Sequence, residues 1–362
     1  MDSSRHHPPA EPVVRSDTAA PCDEEVGQAS AVWFTSPRQV GIQAEDVPAP
    51  GPDEVRIRAI ASAISHGTEL LVYRGQVPAG LALDLPTLRG SFGFPIKYGY
   101  ASVGRVLEAG AAVHGPEVGD LVFVLHPHQT EYVVPARRVM SLPSDFPPEL
   151  GVLTASLETA LNVVLDAHPR LGERLVIFGQ GVVGLLVTQL ARRAGAEVIV
   201  AVDPIERRRE LARRVGADHA LGPDEDVVEQ IRRLTGGMGA DLAIEVSGNP
   251  EALNQAIAAV AFQGTVVAAS WYGTKPAALQ LGDAFHRGRV RLLSSQVGAI
   301  DPALQPRWSI ARRLALARDL LPRLSLEPLI SHRLPFADAA AAYRLIDRHP
   351  EEVIQVILTY RT

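Results

Sequence analysis

Three spaced glycines and a later acid carry the clearest chemistry in this chain. Gly179, Gly181 and Gly184 follow the apolar residues 175–178 and lead directly into a second apolar run. This spacing lets the backbone turn tightly, lets a pyrophosphate approach, and lets the next helix pack on its strand with its positive N-terminus towards the phosphates. Asp203 ends the following apolar run, close to the ~20 residues after the last glycine at which a ribose-binding carboxylate is expected. The pattern therefore predicts a dinucleotide-binding unit.

Asp203 also predicts which dinucleotide binds. Its carboxylate can accept both ribose hydroxyls of NAD(H), whereas the 2′-phosphate of NADP(H) would meet a negative charge and needs an arginine instead. Arg207, Arg208 and Arg209 follow closely and leave NADP(H) as a less favoured alternative, although a solvent-exposed helix face explains them as well. The candidate cofactor contacts are Gly179, Gly181, Val182, Val183, Gly184, Asp203, Arg208 and Ser247.

The composition excludes several classes of function. With 362 residues, of which 46% are hydrophobic and 21% charged, the chain is long enough for two domains with their own cores. The net charge of −6 and the pI near 6.0 offer no basic face for nucleic acid. We expect no apolar run approaching the ~20 residues of a membrane span. The one cysteine, Cys22, excludes a disulfide framework and a multi-cysteine zinc lobe.

The chain divides into four segments by pattern. Residues 1–29 are polar and without periodicity, so we expect a disordered tail; the lack of a secretory signal makes the cytoplasm the default location. Short alternating runs and turns over residues 30–150 are typical of a β-rich domain. Alternating strand and helix candidates over residues 151–299 predict a doubly wound parallel sheet. Residues 300–362, with a basic amphipathic helix at 310–321, have no sheet of their own and should return to the first domain.

Three motifs resemble those of the medium-chain dehydrogenase/reductase superfamily, over about residues 31–360. Residues 99–106 look like its GHExxGxV signature, residues 118–122 like its GDxV turn, and residues 336–343 like its C-terminal helix. Residues 64–69, together with the first motif, look most like the branch that contains the hydroxyethyl-bacteriochlorophyllide dehydrogenase. The resemblance implies an α/β fold class, with a Rossmann doubly wound parallel sheet and a β-rich GroES-like catalytic domain.

The zinc-ligand positions implied by this resemblance have lost their donors. Zinc-dependent members carry a Cys where this chain has Ser65, and the His and Glu of the signature are Tyr100 and Ala101. The third ligand position resembles Glu158, and one carboxylate alone cannot hold a catalytic zinc. The structural-zinc lobe is also missing, replaced by residues 125–131. The resemblance therefore implies an enzyme without zinc, whose side chains must act as general acid and base.

Several side chains are candidates for the role of the metal. Tyr100 could hydrogen-bond the substrate oxygen, with Lys97 as a cationic neighbour that lowers its pKa, or it could only fill the space of the metal. Glu158 could act as a general base or form a structural ion pair with Lys97 or an arginine. Thr68 and Glu69 lie near the proton-relay positions of the superfamily. The candidate catalytic residues are Tyr100, Glu158, Glu69, Ser65 and His128.

Histidine and aromatic residues add further candidates. His66 lies beside the lost Cys position, where relatives place a residue near the cofactor phosphates. His126 and His128 are two apart and would face the same side of a strand, as a substrate-facing or proton-relay pair or, with Glu158, as replacement metal ligands. The Trp-Tyr pair at 271–272 lies where relatives place the nicotinamide-side loop, for stacking against a ligand or for simple packing.

These observations predict a NAD(H)-dependent, zinc-independent oxidoreductase that interconverts a secondary alcohol and a ketone by hydride transfer. A quinone or enoyl reductase is one alternative; such zinc-less relatives usually take NADPH, which Asp203 disfavours. A non-catalytic NAD(H)-binding protein is another, motivated by the absent ligands and opposed by the polar side chains kept at Glu69, Tyr100 and Glu158. We expect a small-molecule substrate, no nucleic-acid or membrane partner, and a homodimer.

Overall fold

The structure is a computed structural model that describes residues 27–83, 85, 87–222 and 225–361. The strands are β1 Gly27–Ser36, β2 Gln39–Val47, β3 Glu54–Ile64, β4 Ser102–Ala109, β5 Leu121–Val124, β6 Glu131–Pro135, β7 Val139–Ser141, β8 Arg174–Phe178, β9 Val198–Val202, β10 His219–Leu221, β11 Ala240–Glu245, β12 Val260–Ala268, β13 Arg291–Ser294, β14 Ile330–Pro335 and β15 Gln355–Thr359. The helices are α1 Thr68–Tyr73, α2 Pro148–Gly151, α3 Thr154–Ala167, α4 Val182–Arg193, α5 Glu206–Val215, α6 Val227–Leu234, α7 Pro250–Ala259, α8 His286–Gly288, α9 Ile310–Leu320 and α10 Ala339–Arg348.

Six parallel strands form the dinucleotide-binding sheet. Their order in space is β10-β9-β8-β11-β12-β13. Numbered by appearance, this is 3-2-1-4-5-6, the order of a doubly wound Rossmann sheet. The strands are continuous apolar runs because both faces of the sheet are covered, one by α3, α4 and α5 and the other by α6 and α7. The predicted Rossmann fold is confirmed.

The β-rich part forms a seven-stranded sheet and a separate hairpin, β1-β2. The sheet runs β14-β15-β3-β4-β5-β7, with β6 paired to β3. Its last two strands come from the end of the chain, and β15 pairs antiparallel with β3 so that Val356 faces Ile64. The C-terminal strands therefore complete the sheet of the first domain, which is the GroES-like organisation that the resemblance implied.

Helix α9 does not follow β14 and β15 into that sheet. It packs against α3, and α3 packs against α4 of the Rossmann domain. Ala317 and Leu320 of α9 belong to one apolar core that also includes Val103 of β4 and Ile177 of β8. The segment after residue 299 is thus divided, with its helix on the Rossmann side and its strands in the first domain.

The hairpin strand β1 begins at Gly27, inside the segment 1–29 for which a disordered tail was predicted. Gly27 pairs with Val47 of β2, and this pairing forms the first residues of the strand. The polar composition of the segment does not indicate such pairing. Residues 1–26, with Cys22, lie outside the described residues.

One helical stretch has the length and composition of a membrane span, which corrects the expectation that no run would approach it. Pro148–Ala167, which combines α2 and α3, has 20 residues and a mean hydropathy of 1.3. Of its most apolar window, 67% is buried inside the protein. In this fold the stretch is a core helix between the two sheets.

Candidate active site

The three glycines of the phosphate turn have different steric roles. Gly179 has a φ of +96°, and a Cβ there would lie 2.8 Å from the backbone of Ser247. A Cβ on Gly184 would lie 1.9 Å from the carbonyl oxygen of Gly179, so only glycine lets α4 pack this closely. A Cβ on Gly181, the N-cap of α4, would meet no atom within 4 Å. That open space beside a helix N-terminus fits a pyrophosphate.

Asp203 follows β9, and its carboxylate is only 3% exposed. One oxygen accepts the N–H of Gln180 at 2.7 Å, and the other accepts the N–H of Ile205 at 2.9 Å. Arg208 lies 3.8 Å from the carboxylate and donates to the carbonyl of Val353 at 3.0 Å. The carboxylate keeps lone pairs for ribose hydroxyls. Arg208 is not part of a solvent-exposed helix face, because it bridges α5 and the C-terminal segment.

Two buried nitrogen atoms lack a hydrogen-bond partner. They are Nε2 of His66 and Nε of Arg208, the arginine that lies beside Asp203. Burial, together with the charges of Arg208 and His332, lowers the pKa of His66 to about 3. The imidazole is therefore neutral near pH 7. Buried polar atoms are nearly always hydrogen-bonded, so two such atoms in electrostatic contact fit a site that takes a polar ligand.

Ser247 follows β11 and is held by a buried acid, Glu245. The N–H and the hydroxyl of Ser247 bind Oε1 of Glu245 at 2.6 and 2.7 Å, and the hydroxyl of Tyr272 binds Oε2 at 2.8 Å. Glu245 shapes the turn that faces Gly179, although it is not among the residues that the sequence predicts for the site. Its position as an acid at the carboxyl end of an apolar strand is the signal that could have found it.

The aromatic pair at 271–272 makes packing contacts. Tyr272 is fixed by its bond to Glu245, and the ring of Trp271 lies 5.7 Å from that of Phe92 in the other domain. Trp271 is 39% exposed. The two alternatives for this pair are stacking against a ligand and simple packing. The contact of Trp271 with Phe92 is one of packing between the domains.

Three hydroxyl side chains meet around Tyr100, which with Ser65 stands at a position that the sequence resemblance assigns to a zinc ligand. Ser65 follows β3, Thr68 begins α1, and Tyr100 lies shortly before β4. The Tyr100 hydroxyl is hydrogen-bonded to the side chains of Ser65 and Thr68. Burial and the nearby charge of Glu69 raise the pKa of Tyr100 to about 12, against the lowering effect of those two bonds. The phenol is therefore protonated at neutral pH. We call Ser65, Thr68 and Tyr100 the hydroxyl cluster.

The expected effect of Lys97 on Tyr100 is wrong. The ammonium group of Lys97 binds the side chains of Glu45 and Gln129 and lies 5.9 Å from the ring of Trp33. These partners belong to the β1-β2 hairpin and to the loop after β5. They hold the side chain of Lys97 away from Tyr100. The pKa of Tyr100 is raised, not lowered.

Glu69 and His128, two of the candidate residues, form a fully buried pair. Oε2 of Glu69 lies 2.9 Å from Nε2 of His128 and accepts the hydroxyl of Tyr343 at 2.6 Å. Oε1 accepts the N–H of Ser65 at 3.0 Å, which connects the pair to the hydroxyl cluster. The other nitrogen of His128, Nδ1, lies 2.7 Å from the hydroxyl of Ser62.

Glu158 is held in a different set of contacts, by Arg313 of α9. Nε and Nη2 of Arg313 donate to Oε1 of Glu158 at 3.2 and 2.7 Å, and the arginine is 1% exposed. Arg313 also donates to the side chain of Asn162 and to the carbonyl of Val297. Burial raises the pKa of Glu158, and Arg313 opposes that shift. These contacts favour the ion-pair alternative over a general base, and they do not place Glu158 beside Tyr100.

His126 does not form a pair with His128, which corrects the strand geometry expected for the two. They lie in the loop between β5 and β6. The ring of His126 stacks on Tyr132 with centroids 3.7 Å apart, and its Nδ1 lies 3.0 Å from the carbonyl of Pro127. Burial lowers the pKa of His126 to about 3. Together with the separate partners of His128 and Glu158, this geometry does not bring the three proposed replacement metal ligands together.

The residues at the zinc-ligand positions that the sequence resemblance implies do not fit a zinc ion. Zinc is bound by thiolate, imidazole and carboxylate groups, usually four in a tetrahedron. Ser65 and Tyr100 offer neutral hydroxyls already bonded to one another, Ala101 offers no donor, and Glu158 is occupied by Arg313.

Comparison with known proteins agrees with this architecture. Residues 182–315 match the family described as zinc-binding dehydrogenase. The chain is 31% identical to D-guloside 3-dehydrogenase of Escherichia coli K12 over 346 residues, which cover 90% of this chain and 98% of the relative. It is 33% identical to L-threonine 3-dehydrogenase of Pyrococcus abyssi over 319 residues, which cover 80% and 86%.

A solved structure has the same fold over nearly the whole chain. It is an oxidoreductase/dehydrogenase of unknown specificity from Escherichia coli, which superposes with a TM-score of 0.78 at 18% identity and covers 93% of this chain and 100% of its own. The relatives, the two domains and the glycine turn all indicate the same family of dehydrogenases. The chain belongs to the medium-chain dehydrogenase/reductase superfamily, with the zinc-binding dehydrogenases, and is an oxidoreductase.

Proposed function

We propose that the protein is a NAD(H)-dependent dehydrogenase that interconverts a secondary alcohol and a ketone without zinc. The hydroxyl cluster carries the proposal, because it holds a protonated phenol and two further hydroxyls, with Ser65 and Tyr100 at positions that the sequence resemblance assigns to zinc ligands. The names of two relatives, which are 3-dehydrogenases of a D-guloside and of L-threonine, support a hydroxyl-bearing carbon within a chain or ring as the reacting position.

The cofactor contacts support a nicotinamide dinucleotide. Gly181 and the N-terminus of α4 would hold the pyrophosphate, with His66 and Arg208 supplying polar atoms that now lack a partner. Asp203 would accept the adenosine ribose hydroxyls, and its negative charge favours NAD(H) over NADP(H). When bound, the nicotinamide ring accepts or donates the hydride.

Tyr100 would bind the substrate oxygen as a hydrogen-bond donor. A phenol with a pKa raised to about 12 keeps its proton, so in ketone reduction it stabilises the negative charge that develops on the oxygen. The same phenol is a poor base for alcohol oxidation. The proton released in that direction needs another acceptor, and Glu69 is the carboxylate whose charge acts on Tyr100.

Cofactor titration followed by a substrate screen tests the proposal. Fluorescence titration should show tighter binding of NADH than of NADPH, and Asp203→Asn should reduce that difference. The absorbance of NADH should then fall with ketones and rise from NAD with secondary alcohols. Tighter NADPH binding with turnover of enones or quinones would favour a reductase. NADH binding without turnover of any of these compounds would favour a non-catalytic binding protein.

A further inference from the structure

One face of helix α3 carries three polar side chains, although the helix lies in the core between the two sheets. Glu158, Asn162 and Asp166 are spaced so that they lie above one another on the same side of the helix. Glu158 is 5% exposed and Asn162 is 1% exposed. Burying polar groups in this way is costly unless they are hydrogen-bonded, so their partners indicate the role of this face.

Two of these side chains bind the segment that follows β13, residues 295–299, which we call the β13 loop. The hydroxyl of Ser295 donates to the carboxylate of Asp166 at 2.6 Å. The amide nitrogen of Asn162 donates to the same carboxylate at 2.8 Å and to the hydroxyl of Ser295 at 3.2 Å. The beginning of the β13 loop is therefore fixed to α3.

Arg313 of α9 connects the third side chain to the same loop. Its guanidinium donates to the carboxylate of Glu158 and, at 2.6 Å, to the carbonyl of Val297. It also donates to the amide oxygen of Asn162 and, at 3.4 Å, to the carbonyl of Ala299. A planar guanidinium holds several acceptors in one fixed arrangement, so the rest of the β13 loop is fixed to α3 as well.

The β13 loop lies at the end of the sheet where a dinucleotide binds. Ligands of a doubly wound sheet bind beyond the carboxyl ends of the parallel strands, and each half of the sheet binds one mononucleotide. The phosphate turn follows β8 and Asp203 follows β9, so the first half is that of the adenosine. The strands β11, β12 and β13 form the second half. Their carboxyl ends are left for the nicotinamide half.

We propose that Arg313 and the polar face of α3 hold the β13 loop in the position that binds the nicotinamide half of the cofactor. The proposal rests on the proposed function only in taking NAD(H) as the cofactor. These side chains act through the backbone of the loop, so they are positioning residues. A loop that spent about a tenth of its time in the binding position would raise the apparent dissociation constant about tenfold.

Two ligands that differ in the nicotinamide test this role. ADP-ribose contains the adenosine, the pyrophosphate and the second ribose of NADH, and it lacks the nicotinamide. Arg313→Lys keeps a positive charge beside Glu158 but loses the planar group that also reaches Val297. We expect this variant to bind NADH about tenfold or more weakly and ADP-ribose with unchanged affinity, as measured by isothermal titration calorimetry.

Arg174→Lys is the matched control. Arg174 also donates to an acid, Asp241 at 3.2 Å, and to a backbone carbonyl, that of Thr235 at 2.7 Å. It begins β8 and therefore lies at the amino end of the same sheet, away from the cofactor. The control variant should bind both ligands as the unmodified protein does.

Ser295→Ala is a milder change that keeps the proposal testable if Arg313→Lys does not fold. It removes the bond from the β13 loop to Asp166 and should weaken NADH binding by roughly threefold or more, again with ADP-ribose unchanged. Equal weakening of both ligands, or unchanged NADH affinity in the folded variants, would overturn the proposal. So would NADH that binds the unmodified protein no more tightly than ADP-ribose does, or a selective loss of NADH binding in Arg174→Lys.

Hydrogen exchange measured by mass spectrometry follows the β13 loop itself. In the unmodified protein, NADH should slow amide exchange in residues 295–299 more than ADP-ribose does. Without any ligand, Arg313→Lys should speed this exchange by roughly tenfold or more. Exchange that neither NADH nor the substitution changes would contradict the proposal. Neither measurement uses a substrate, so the proposed alcohol oxidation can fail while the role of Arg313 is still observed.

Discussion

At the scale of single residues, the proposed chemistry depends most on the phenol of Tyr100. We expect Tyr100→Phe to lower kcat by roughly 10²–10⁴-fold, because the ring remains while the donor to the substrate oxygen is lost. The dissociation constant of NADH should hardly change, since Gly181 and Asp203 lie in the other domain. Steady-state kinetics and fluorescence titration measure the two quantities.

Tyr132→Phe is the control for this substitution, because it removes a buried phenol that is bonded only to Ser102 in the first domain. Its turnover should stay near that of the unmodified protein. If Tyr100→Phe also keeps near-normal turnover once folded, Tyr100 fills space and takes no part in the chemistry.

Glu158 should matter for stability more than for the reaction. Glu158→Ala leaves the guanidinium of Arg313 buried without its carboxylate, and breaking a buried pair in this way typically costs about 3–5 kcal/mol of unfolding free energy. Glu149→Ala is the control on the neighbouring helix, because its pair with Arg333 is exposed and should contribute at most about 1 kcal/mol. Urea unfolding compares the two variants. Equal, small losses would show that the Glu158 pair is not structural.

Residues whose role is set by their near neighbours could be recognised in the sequence, and those set by distant partners could not. The glycines, Asp203, Ser65 and Tyr100 stand in short motifs with fixed spacing. The partner of Glu158 lies 155 residues later, on the amphipathic helix predicted at 310–321, and no local pattern connects the two residues. The sequence predicts Glu69 and His128 as separate candidates, and only the fold shows that they form a pair.

At the scale of elements, the turn between β8 and α4 makes a test with its own control. Gly184→Ala puts a Cβ against the carbonyl oxygen of Gly179 and should lower the unfolding free energy by about 2 kcal/mol or more. Gly181→Ala places its Cβ in open space, so stability should be kept, while NADH should bind about tenfold or more weakly because the pyrophosphate site is filled.

Denaturant unfolding and fluorescence titration distinguish the two glycine variants. The same loss of stability in both, or unchanged NADH affinity in Gly181→Ala, would contradict the roles assigned to these positions.

Periodicity predicted the elements that bury apolar residues regularly. The six parallel strands and the helix Val227–Leu234 follow from such runs. The sequence predicted wrongly those elements that depend on contacts between distant parts of the chain. Residues 125–130 form a loop instead of a strand, β1 starts at Gly27 because β2 pairs with it, and α9 packs on α3 because its apolar face fits the core there.

At the scale of the whole molecule, we expect a homodimer joined through β13. This strand is last in the order of the six-stranded sheet, so its outer edge has no neighbour among the described strands, and Leu293 on it is 42% exposed. An open edge with apolar side chains favours pairing with a second copy about a twofold axis. Leu293→Lys should therefore shift the protein from dimer to monomer in sedimentation velocity.

Leu171→Lys is the control for this shift, because Leu171 is 87% exposed and precedes the first strand of the Rossmann sheet. It should leave the oligomeric state unchanged. A monomer before any substitution, or a dimer that survives Leu293→Lys, would exclude this interface.

The proposed chemistry depends on hydroxyl groups at the positions that the sequence resemblance assigns to zinc ligands. The most direct test is the zinc content of the active enzyme, measured by elemental analysis of protein purified without chelator and repeated with NAD-dependent turnover after chelation. We expect no stoichiometric zinc and the same turnover before and after the chelator. One zinc per chain, with turnover that is lost when the metal is removed and regained when it is restored, would contradict the account.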